Sequence, residues 1–392
     1  MDGVAMPWCE GITHGRSQRA ILCMLKTNPH DHFLFKVYLD ELERLAVAAG
    51  FEIVDRIVQT RLKPKSNFLI GRGKVEELKK LVKLHRAGHV IFYNSLSSRQ
   101  KLAISNVLEC DVLDRYELTL LIFDASAGDK VSKLQIEYAR LRKLAPFLKL
   151  QASLKYRREH PFFRSMGEYA FHSELNAIKK REKRIRQEID RLAWEKLQQI
   201  KRRSKLGIPT VVLSGMYNAG KSSLFNVLCG ENRPVCDFPF TTLSSKYQLN
   251  GLSSQKIFFV DTIGFVLDLD PMLIDSFKLN LLDLKTADLV VLVVGLDNPS
   301  DIVYLKLKES LAILKEIGVS ESRMVVALNK ADLLDSNGKL QLTFLLSPLL
   351  NHFKWTFTSA KKKDVSSLLS IIEEKLHELR VAHSLEGAPY IR

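Results

Sequence analysis

The fold is decided by one stretch of sequence, Val211-Val212-Leu213-Ser214-Gly215-Met216-Tyr217-Asn218-Ala219-Gly220-Lys221-Ser222-Ser223-Leu224-Phe225. Its apolar beginning predicts a buried strand, and the residues from Ser223 onward predict a helix. Between them lies a loop of the form Gly-x-x-x-x-Gly-Lys-Ser. Strand, loop and helix in this order are typical of a phosphate-binding loop, where backbone N–H groups and the helix N-terminus stabilise a polyphosphate.

Side chains of this loop have predicted roles. Lys221 is expected to reach the outer phosphates of a nucleotide, and the Ser222 hydroxyl to ligate Mg²⁺. The residues expected to hold the nucleotide here are Gly215, Asn218, Ala219, Gly220, Lys221, Ser222 and Ser223. The alternative, a glycine turn before a helix that binds nothing, is disfavoured by the motifs that follow.

A second apolar run, Ile257–Val260, predicts a buried strand that ends at Asp261-Thr262-Ile263-Gly264. We expect Asp261 to hold Mg²⁺ through water, and the Gly264 N–H to meet the γ-phosphate. Gly264 is followed by Phe265, where many GTPases carry a glutamine that orients water. The sequence therefore predicts that hydrolysis of the bound nucleotide is slow and that a partner stimulates it.

Two threonines lie between these motifs, in Phe238–Leu243. We expect Thr242, with Thr241 as the alternative, to complete the Mg²⁺ shell and to sense the γ-phosphate. The predicted catalytic residues are Lys221, Thr242 and Gly264. The predicted metal ligands are Ser222, Thr242 and Asp261.

A third apolar run, Met324–Leu328, predicts a strand that delivers Asn329-Lys330-Ala331-Asp332. The Asp332 carboxylate can accept hydrogen bonds from guanine N1 and N2, a donor pair that adenine lacks. Lys330 is expected to cover the base, and Asn329 to tie this loop to the phosphate loop. Ser359-Ala360-Lys361 then offers the Ala360 N–H to guanine O6. Together these motifs predict a doubly wound domain that binds GTP or GDP with Mg²⁺.

Composition limits the class of protein. The 392 residues allow two or three domains, and a net charge of +15 suggests a polyanionic partner, either nucleic acid or an anionic membrane. The five cysteines show no paired spacing, which is typical of a reducing compartment. No apolar run reaches membrane-spanning length, and the first 30 residues lack a signal-peptide core. We expect a cytoplasmic protein.

The chain before the phosphate loop divides into further regions. Residues 1–18 are predicted to be a mobile arm, and 19–128 an α/β domain with a mostly parallel sheet. Its glycines at Gly71-Arg72-Gly73-Lys74 indicate either an anion site at a helix N-terminus or a tight strand-to-helix turn. Residues 129–206 are predicted to form a helical hairpin, and 207–392 the GTPase domain.

The hairpin is predicted from two long helical patterns, Lys133–Leu148 and Leu175–Lys205. Apolar residues recur in the first at coiled-coil spacing, at Leu134, Tyr138, Leu141, Ala145 and Leu148. The second is densely basic. The tip, about residues 151–172, interleaves basic and aromatic side chains, which favours RNA contact. The candidate RNA-binding residues are Lys155, Arg157, Arg158 and Arg164. Alternatively, Phe162 and Phe163 cap the hairpin's own core.

The chain resembles the HflX family of translation-associated GTPases. The resemblance is carried by Gly71–Leu78, Leu96–Gln100, Val112–Arg115, Lys133–Ala139 and the nucleotide motifs, including the apolar Phe265. It implies an N-terminal α/β domain, an antiparallel helical hairpin (coiled coil) and a P-loop GTPase domain. It also implies binding to the large ribosomal subunit in the GTP state, with the tip against rRNA, and a task in ribosome splitting, rescue or assembly.

The sequence departs from the family in two places. The glycine-rich segment between the hairpin helices is reduced to Ser165–Tyr169, and little chain follows the last predicted helix, Val365–Leu379. Two other functions stay open: a regulatory GTPase with a protein or membrane partner, and a GTPase that assists an RNA-modifying enzyme. No terminal lipidation motif supports an anchor. We expect a monomer that does not bind DNA and has no membrane anchor.

Overall fold

The structure is a computed structural model that describes residues 18–158, 166–230, 245–250 and 256–385, with side chains for all of these except 151–174 and 382–385. Several predictions lie outside these residues: the arm over 1–18 apart from Gln18, the threonines Thr241 and Thr242, and the tip residue Arg164. Lys155, Arg157 and Arg158 are described by their backbone only, which is helical.

The chain forms two compact units, one of residues up to 125 together with 137–184, the other of 126–136 together with 185 onward. The first unit contains a parallel sheet in the order β2-β1-β3-β4. Its strands are β1 (Arg19–Lys26), β2 (Glu52–Thr60), β3 (His89–Phe92) and β4 (Asp111–Asp114). Its helices are α1 (His32–Ala48), α2 (Arg72–His85), α3 (Ser98–Leu108) and α4 (Arg115–Ser126). The predicted mostly parallel sheet is confirmed.

Two helices of this unit differ from the prediction. The apolar pattern of α1 begins at Val37 and predicts a helix from there, but the helix begins at His32 because the Asp31 carboxylate accepts a hydrogen bond from the Leu34 N–H at 3.0 Å. Helix α4 was not predicted at all. It is buried on nearly every side, from Tyr116 to Phe123, so its apolar residues follow no single-face period.

Gly71 precedes helix α2 as its N-cap, and residues 72–74 form the first turn of this helix. The Gly71 N–H donates to Gln59 Oε1 at 2.7 Å, and a Cβ at Gly71 would lie 3.1 Å from side-chain atoms of Gln59 and Arg61. The anion site at this helix N-terminus and the tight turn both stay predictions.

Two long helices follow, α5 (Lys130–Arg158) and α6 (Met166–Ser204). Helix α5 extends beyond its predicted bounds at both ends, and α6 begins earlier than predicted and ends one residue before the predicted Lys205. Arg181 of α6 forms an ion pair with Glu137 of α5. The buried side of α5 includes Leu141 of the predicted apolar seam, and also Ile136, Ala139 and Leu144, which lie beside that seam. The reason is that α5 also packs on α4, where the Tyr116 hydroxyl donates to the Ala139 carbonyl at 3.1 Å. None of the helices described has the length and hydropathy of a membrane span.

The second unit contains a six-stranded sheet in the order β10-β9-β8-β5-β7-β6, parallel except for the edge strand β6. Its strands are β5 (Thr210–Ser214), β6 (Lys246–Leu249), β7 (Phe258–Asp261), β8 (Leu289–Gly295), β9 (Met324–Asn329) and β10 (Lys354–Phe357). Its helices are α7 (Lys221–Cys229), α8 (Pro271–Ser276), α9 (Leu282–Thr286), α10 (Ser300–Ile317), α11 (Ser336–Leu350) and α12 (Ser366–Leu385). The predicted α/β fold class, with a doubly wound nucleotide-binding sheet, is confirmed.

The core of the first unit holds a cluster of four charged side chains. Lys101 Nζ donates to both carboxylate oxygens of Glu117, at 2.5 and 2.7 Å, and Lys143 of α5 donates to Asp114 Oδ2 at 2.6 Å. Burial raises the pKa of Glu117 to about 7, against the attraction of Lys101. A carboxylate in this position depends on its cation.

We predict that Lys101→Met destabilises the first unit by about 3–5 kcal/mol at pH 8, because it leaves a buried carboxylate without its cation. The folded-state pKa of Glu117 is raised, so its contribution to stability is present below the unfolded pKa and is lost as pH rises through about 7. Without Lys101, the loss of unfolding free energy with rising pH becomes larger. Urea unfolding at pH 5 and pH 8 should therefore show the larger difference from wild type at pH 8.

The matched control is Lys79→Met, which removes an exposed ion pair with Glu109. Exposed pairs contribute about 0–1 kcal/mol, so this variant should stay close to wild type at both pH values. An effect of Lys101→Met no larger than that of Lys79→Met would contradict the prediction.

Candidate nucleotide-binding site

The phosphate loop runs from the end of β5 to the start of α7, and its glycines are required by its conformation. Gly215 and Gly220 have φ of +139° and +86°. A Cβ at Gly215 would collide with the Val293 carbonyl oxygen, and one at Gly220 with the Asn329 side chain. Gly220 precedes α7 without a side-chain cap, so the first N–H groups of this helix point toward the loop.

Lys221 lies under this loop and is 7% exposed. Its Nζ donates to the carbonyls of Gly215 and Met216, at 3.2 and 2.9 Å. Burial lowers the pKa of Lys221 to about 8, partly offset by the nearby Asp261. A polyanion in the loop would favour the charged form of this lysine.

Ser222 and Asp261 lie together beside the loop. The Ser222 hydroxyl donates to Asp261 Oδ2 at 2.7 Å. The parallel pairing of β5 with β7 places Leu213 opposite Asp261 and so sets this distance. A hydroxyl and a buried carboxylate are oxygen donors of the kind that Mg²⁺ prefers, so this pair fits the predicted metal. The third predicted ligand, Thr242, is outside the described residues.

The segment after Asp261 is held against the phosphate loop. The Phe265 N–H donates to the Gly215 carbonyl at 3.0 Å, and the Tyr217 N–H donates to the Phe265 carbonyl at 2.8 Å. A Cβ at Gly264 would lie 2.8 Å from Lys221 Nζ, so this segment and the phosphate loop touch. The Phe265 side chain is 1% exposed and therefore directed into the protein.

Asn329 joins the phosphate loop to the predicted guanine loops. It is fully buried, its Nδ2 donates to the Ala219 carbonyl at 3.0 Å, and its Oδ1 accepts from the Ala360 N–H at 3.2 Å. In this conformation, the Ala360 N–H predicted for guanine O6 is thus bonded to Asn329. The Asn329 side chain thus connects its own loop and the loop that contains Ala360 to the phosphate loop.

The Asp332 carboxylate is oriented by a neighbour. The Ser359 hydroxyl donates to Asp332 Oδ1 at 2.5 Å, and this hydrogen bond lowers the pKa of Asp332 below its usual value. Asp332 therefore stays ionised and acts only as an acceptor, which suits the donor pair of guanine. The sequence assigned Ser359 to the site but not this orienting role.

Asp297 is a residue at this edge that the sequence analysis missed. It follows β8, and its Oδ2 accepts from Lys330 Nζ at 2.9 Å. The ion pair directs the Lys330 side chain toward Asp297. The backbone of Lys330 has a φ of +67°. A signal was present, because Asp297 follows the carboxyl end of a parallel strand, where ligands bind in open α/β sheets.

A phosphate loop and a guanine-type loop at one edge of a doubly wound sheet define a P-loop GTPase. Family models match residues 36–124 as "GTP-binding GTPase N-terminal", 126–203 as "GTP-binding GTPase Middle Region" and 210–330 as "50S ribosome-binding GTPase". The GTPase HflX of Thermofilum pendens is 34% identical over 341 residues, covering 87% of this chain and 80% of the relative. The chain belongs to the HflX family.

Other relatives agree. The GTPase HflX of Thermococcus kodakarensis is 35% identical over 78% of this chain and 70% of the relative, and that of Escherichia coli is 30% identical over 76% and 70%. A crystal structure of SsGBP with GDP superposes with a TM-score of 0.50 at 25% identity, covering 93% of this chain and 99% of that one. The protein is a GTP hydrolase, and its ligand is a guanine nucleotide.

We predict that Asn329→Asp weakens GDP binding about 10–100-fold. The carboxylate keeps an acceptor for the Ala360 N–H but cannot donate to the buried Ala219 carbonyl, and an unmatched buried pair of this kind costs about 1–3 kcal/mol. Fluorescence titration with a labelled GDP measures the change. Asn337→Asp, on exposed α11, is the control, and equal affinities of the two variants would contradict the proposed link.

Proposed function

We propose that this GTPase binds the large ribosomal subunit through rRNA when it carries GTP, and that it acts in ribosome splitting, rescue or assembly. The matched family model described as a 50S ribosome-binding GTPase supports this proposal. The observation that carries it is a basic face on α6, described next.

Six basic side chains are exposed on the first half of α6: Lys179, Lys180, Arg181, Lys183, Arg184 and Arg186. Glu182 is the one acidic residue within this stretch. Such a density of cations releases counterions from a nucleic-acid backbone and gives strong, salt-dependent binding. Lys155, Arg157, Arg158 and Arg164, nearer the tip, are proposed to extend the same contact.

The nucleotide is proposed to lie across the loops described above. Its phosphates would meet the phosphate loop, including Asn218, Ala219, Ser223 and Lys221, and its base would lie between Lys330, Asp332 and the Ser359–Lys361 loop. Ser222, Asp261 and Thr242 are proposed to hold Mg²⁺, which when bound neutralises charge on the β- and γ-phosphates. Gly264 would offer its N–H to the γ-phosphate.

Hydrolysis is proposed to be slow until the partner binds. The position that orients water in many GTPases is Phe265, whose buried apolar ring cannot polarise a water molecule. The group that positions the nucleophile would then come from elsewhere in the complex. We further propose that the protein works as a cytoplasmic monomer, with the three regions 19–128, 129–206 and 207–392 as its domains.

Sedimentation with ribosomal subunits tests the ribosome proposal. With a non-hydrolysable GTP analogue, the protein should co-migrate with large subunits, and with GDP it should stay at the top of the gradient. Binding should weaken steeply between low and moderate salt, because it depends on many phosphate contacts. Absence from every ribosomal fraction at low salt would contradict the proposal and favour a protein partner.

The basic face has its own variant, Lys179→Glu/Lys183→Glu. It should lose subunit binding at least tenfold and keep GDP affinity within twofold, because no phosphate-loop residue changes. The matched control is Lys308→Glu/Lys315→Glu, which reverses charge on exposed positions of α10. Equal loss in both variants would show that net charge, rather than this face, determines binding.

The guanine assignment predicts a change of base specificity. Asp332→Asn replaces an acceptor by a donor, so it should lower GDP affinity and raise affinity for xanthosine diphosphate, which carries a carbonyl at position 2. Competition between the two nucleotides on wild type and variant measures the ratio, which we expect to change by at least 100-fold. An unchanged ratio would remove Asp332 from base recognition.

A further inference from the structure

A buried carboxylate outside the phosphate loop is shared by three elements of the second unit. Asp283, in α9, is 3% exposed. Its Oδ2 accepts from Lys196 Nζ of α6 at 2.6 Å and from the Ser245 hydroxyl at 2.5 Å, and its Oδ1 accepts from the Tyr247 hydroxyl at 2.6 Å. The sequence analysis assigned no role to any of these four residues.

On one side, the cluster contacts β6, the strand that pairs with β7 and its terminal Asp261. Tyr247 lies on β6, which pairs with β7 in a register that sets Lys246 opposite Asp261 and Tyr247 opposite Val260. The two donors to Asp283 on this side, Ser245 and Tyr247, therefore flank the residue that pairs with Asp261. A shift of the β7 end would move both hydroxyl groups.

On the other side, the cluster contacts helix α6 through Lys196. Lys196 Nζ also donates to the Leu279 carbonyl at 3.1 Å, and the Arg203 guanidinium lies 4.4 Å from the centre of the Tyr247 ring. The Leu279 N–H in turn donates to Gln135 of α5 at 3.2 Å. The segment that follows Phe265 in the chain is thus held from both long helices.

Because the Asp283 cluster is buried, its stability depends on the exact positions of its charged and hydroxyl groups. A charged pair removed from water depends on close geometry, and loss of one partner leaves the other without compensation. The cluster therefore tolerates few intermediate arrangements, which is the property required of an element that passes a change from one site to another.

We infer that Asp283 is a positioning residue that couples the nucleotide site to helix α6, so that the nucleotide bound at the phosphate loop sets the position of the basic helix. The biological role of this coupling, attachment to rRNA in one nucleotide state, rests on the proposed function. The coupling itself is a property of the protein alone. Linkage requires that it act in both directions, so a partner that holds α6 also changes nucleotide affinity by the same factor.

Hydrogen exchange on the full-length protein without ribosomes tests the coupling. In wild type, peptides within residues 185–204 should exchange at least fivefold more slowly with a non-hydrolysable GTP analogue than with GDP. In Tyr247→Phe and Ser245→Ala, which each remove one hydroxyl donor, this ratio should fall, and in Asp283→Asn it should approach one. GDP affinity should remain within twofold in all three, which excludes unfolding as the cause.

Lys278→Ala is the matched control, since it removes an exposed ion pair between the same segment and Asp190 of α6. It should keep the wild-type exchange ratio. A wild type without any nucleotide-dependent difference in 185–204, or an Asp283→Asn variant that keeps the full ratio, would overturn the inference.

Hydrolysis stimulated by large subunits provides a second readout. In Asp283→Asn, kcat should fall at least tenfold, and Asp283→Glu should restore part of kcat. An unchanged kcat in Asp283→Asn would contradict a coupling role. The two proposals fail separately: loss of sedimentation with an intact exchange ratio rejects ribosome binding, and the reverse result rejects the coupling.

Discussion

The nucleotide site depends on the parallel pairing of β5 with β7 on one side and β8 on the other. Parallel strands end at the same edge, so this pairing brings together loops that are far apart in sequence, after Ser214, Asp261 and Gly295. The close approach of the phosphate loop to β8 leaves no space for a Cβ at Gly215. The hydrogen bond between Ser222 and Asp261 depends on the spacing that the sheet imposes.

Charge is organised differently in the two units. In the first, cations are buried against carboxylates, as with Lys143 and Asp114, and contribute to packing. In the second, a buried carboxylate collects donors from separate elements, as Asp283 does. On the exposed half of α6, cations have few acidic neighbours. A chain with a net charge of +15 thus uses its lysines and arginines both to fix internal geometry and to present a surface to polyanions.

Much of the fold could be predicted from the sequence, because the strands of the GTPase unit are apolar runs that each end in a recognisable motif. The same motifs identified Lys221, Asn329 and Asp332. Helix α4 could not be predicted, since burial on all sides removes the helical period. Nor could the partners of Asp297 and Asp283, because strand register and loop conformation set them, and a single sequence does not specify either. Apolar patterns in a sequence indicate which residues are buried, whereas the hydrogen-bond partners of polar side chains depend on the three-dimensional structure.

Gly220 and Asn329 meet closely enough that neither position is independent of the other. A side chain at Gly220 would displace the amide that holds the guanine loop, although the two residues are 109 positions apart. A substitution in the phosphate loop at this point therefore damages base recognition as well. Gly220 also has a φ of +86°, so a side chain there would be strained whatever residue stands at position 329.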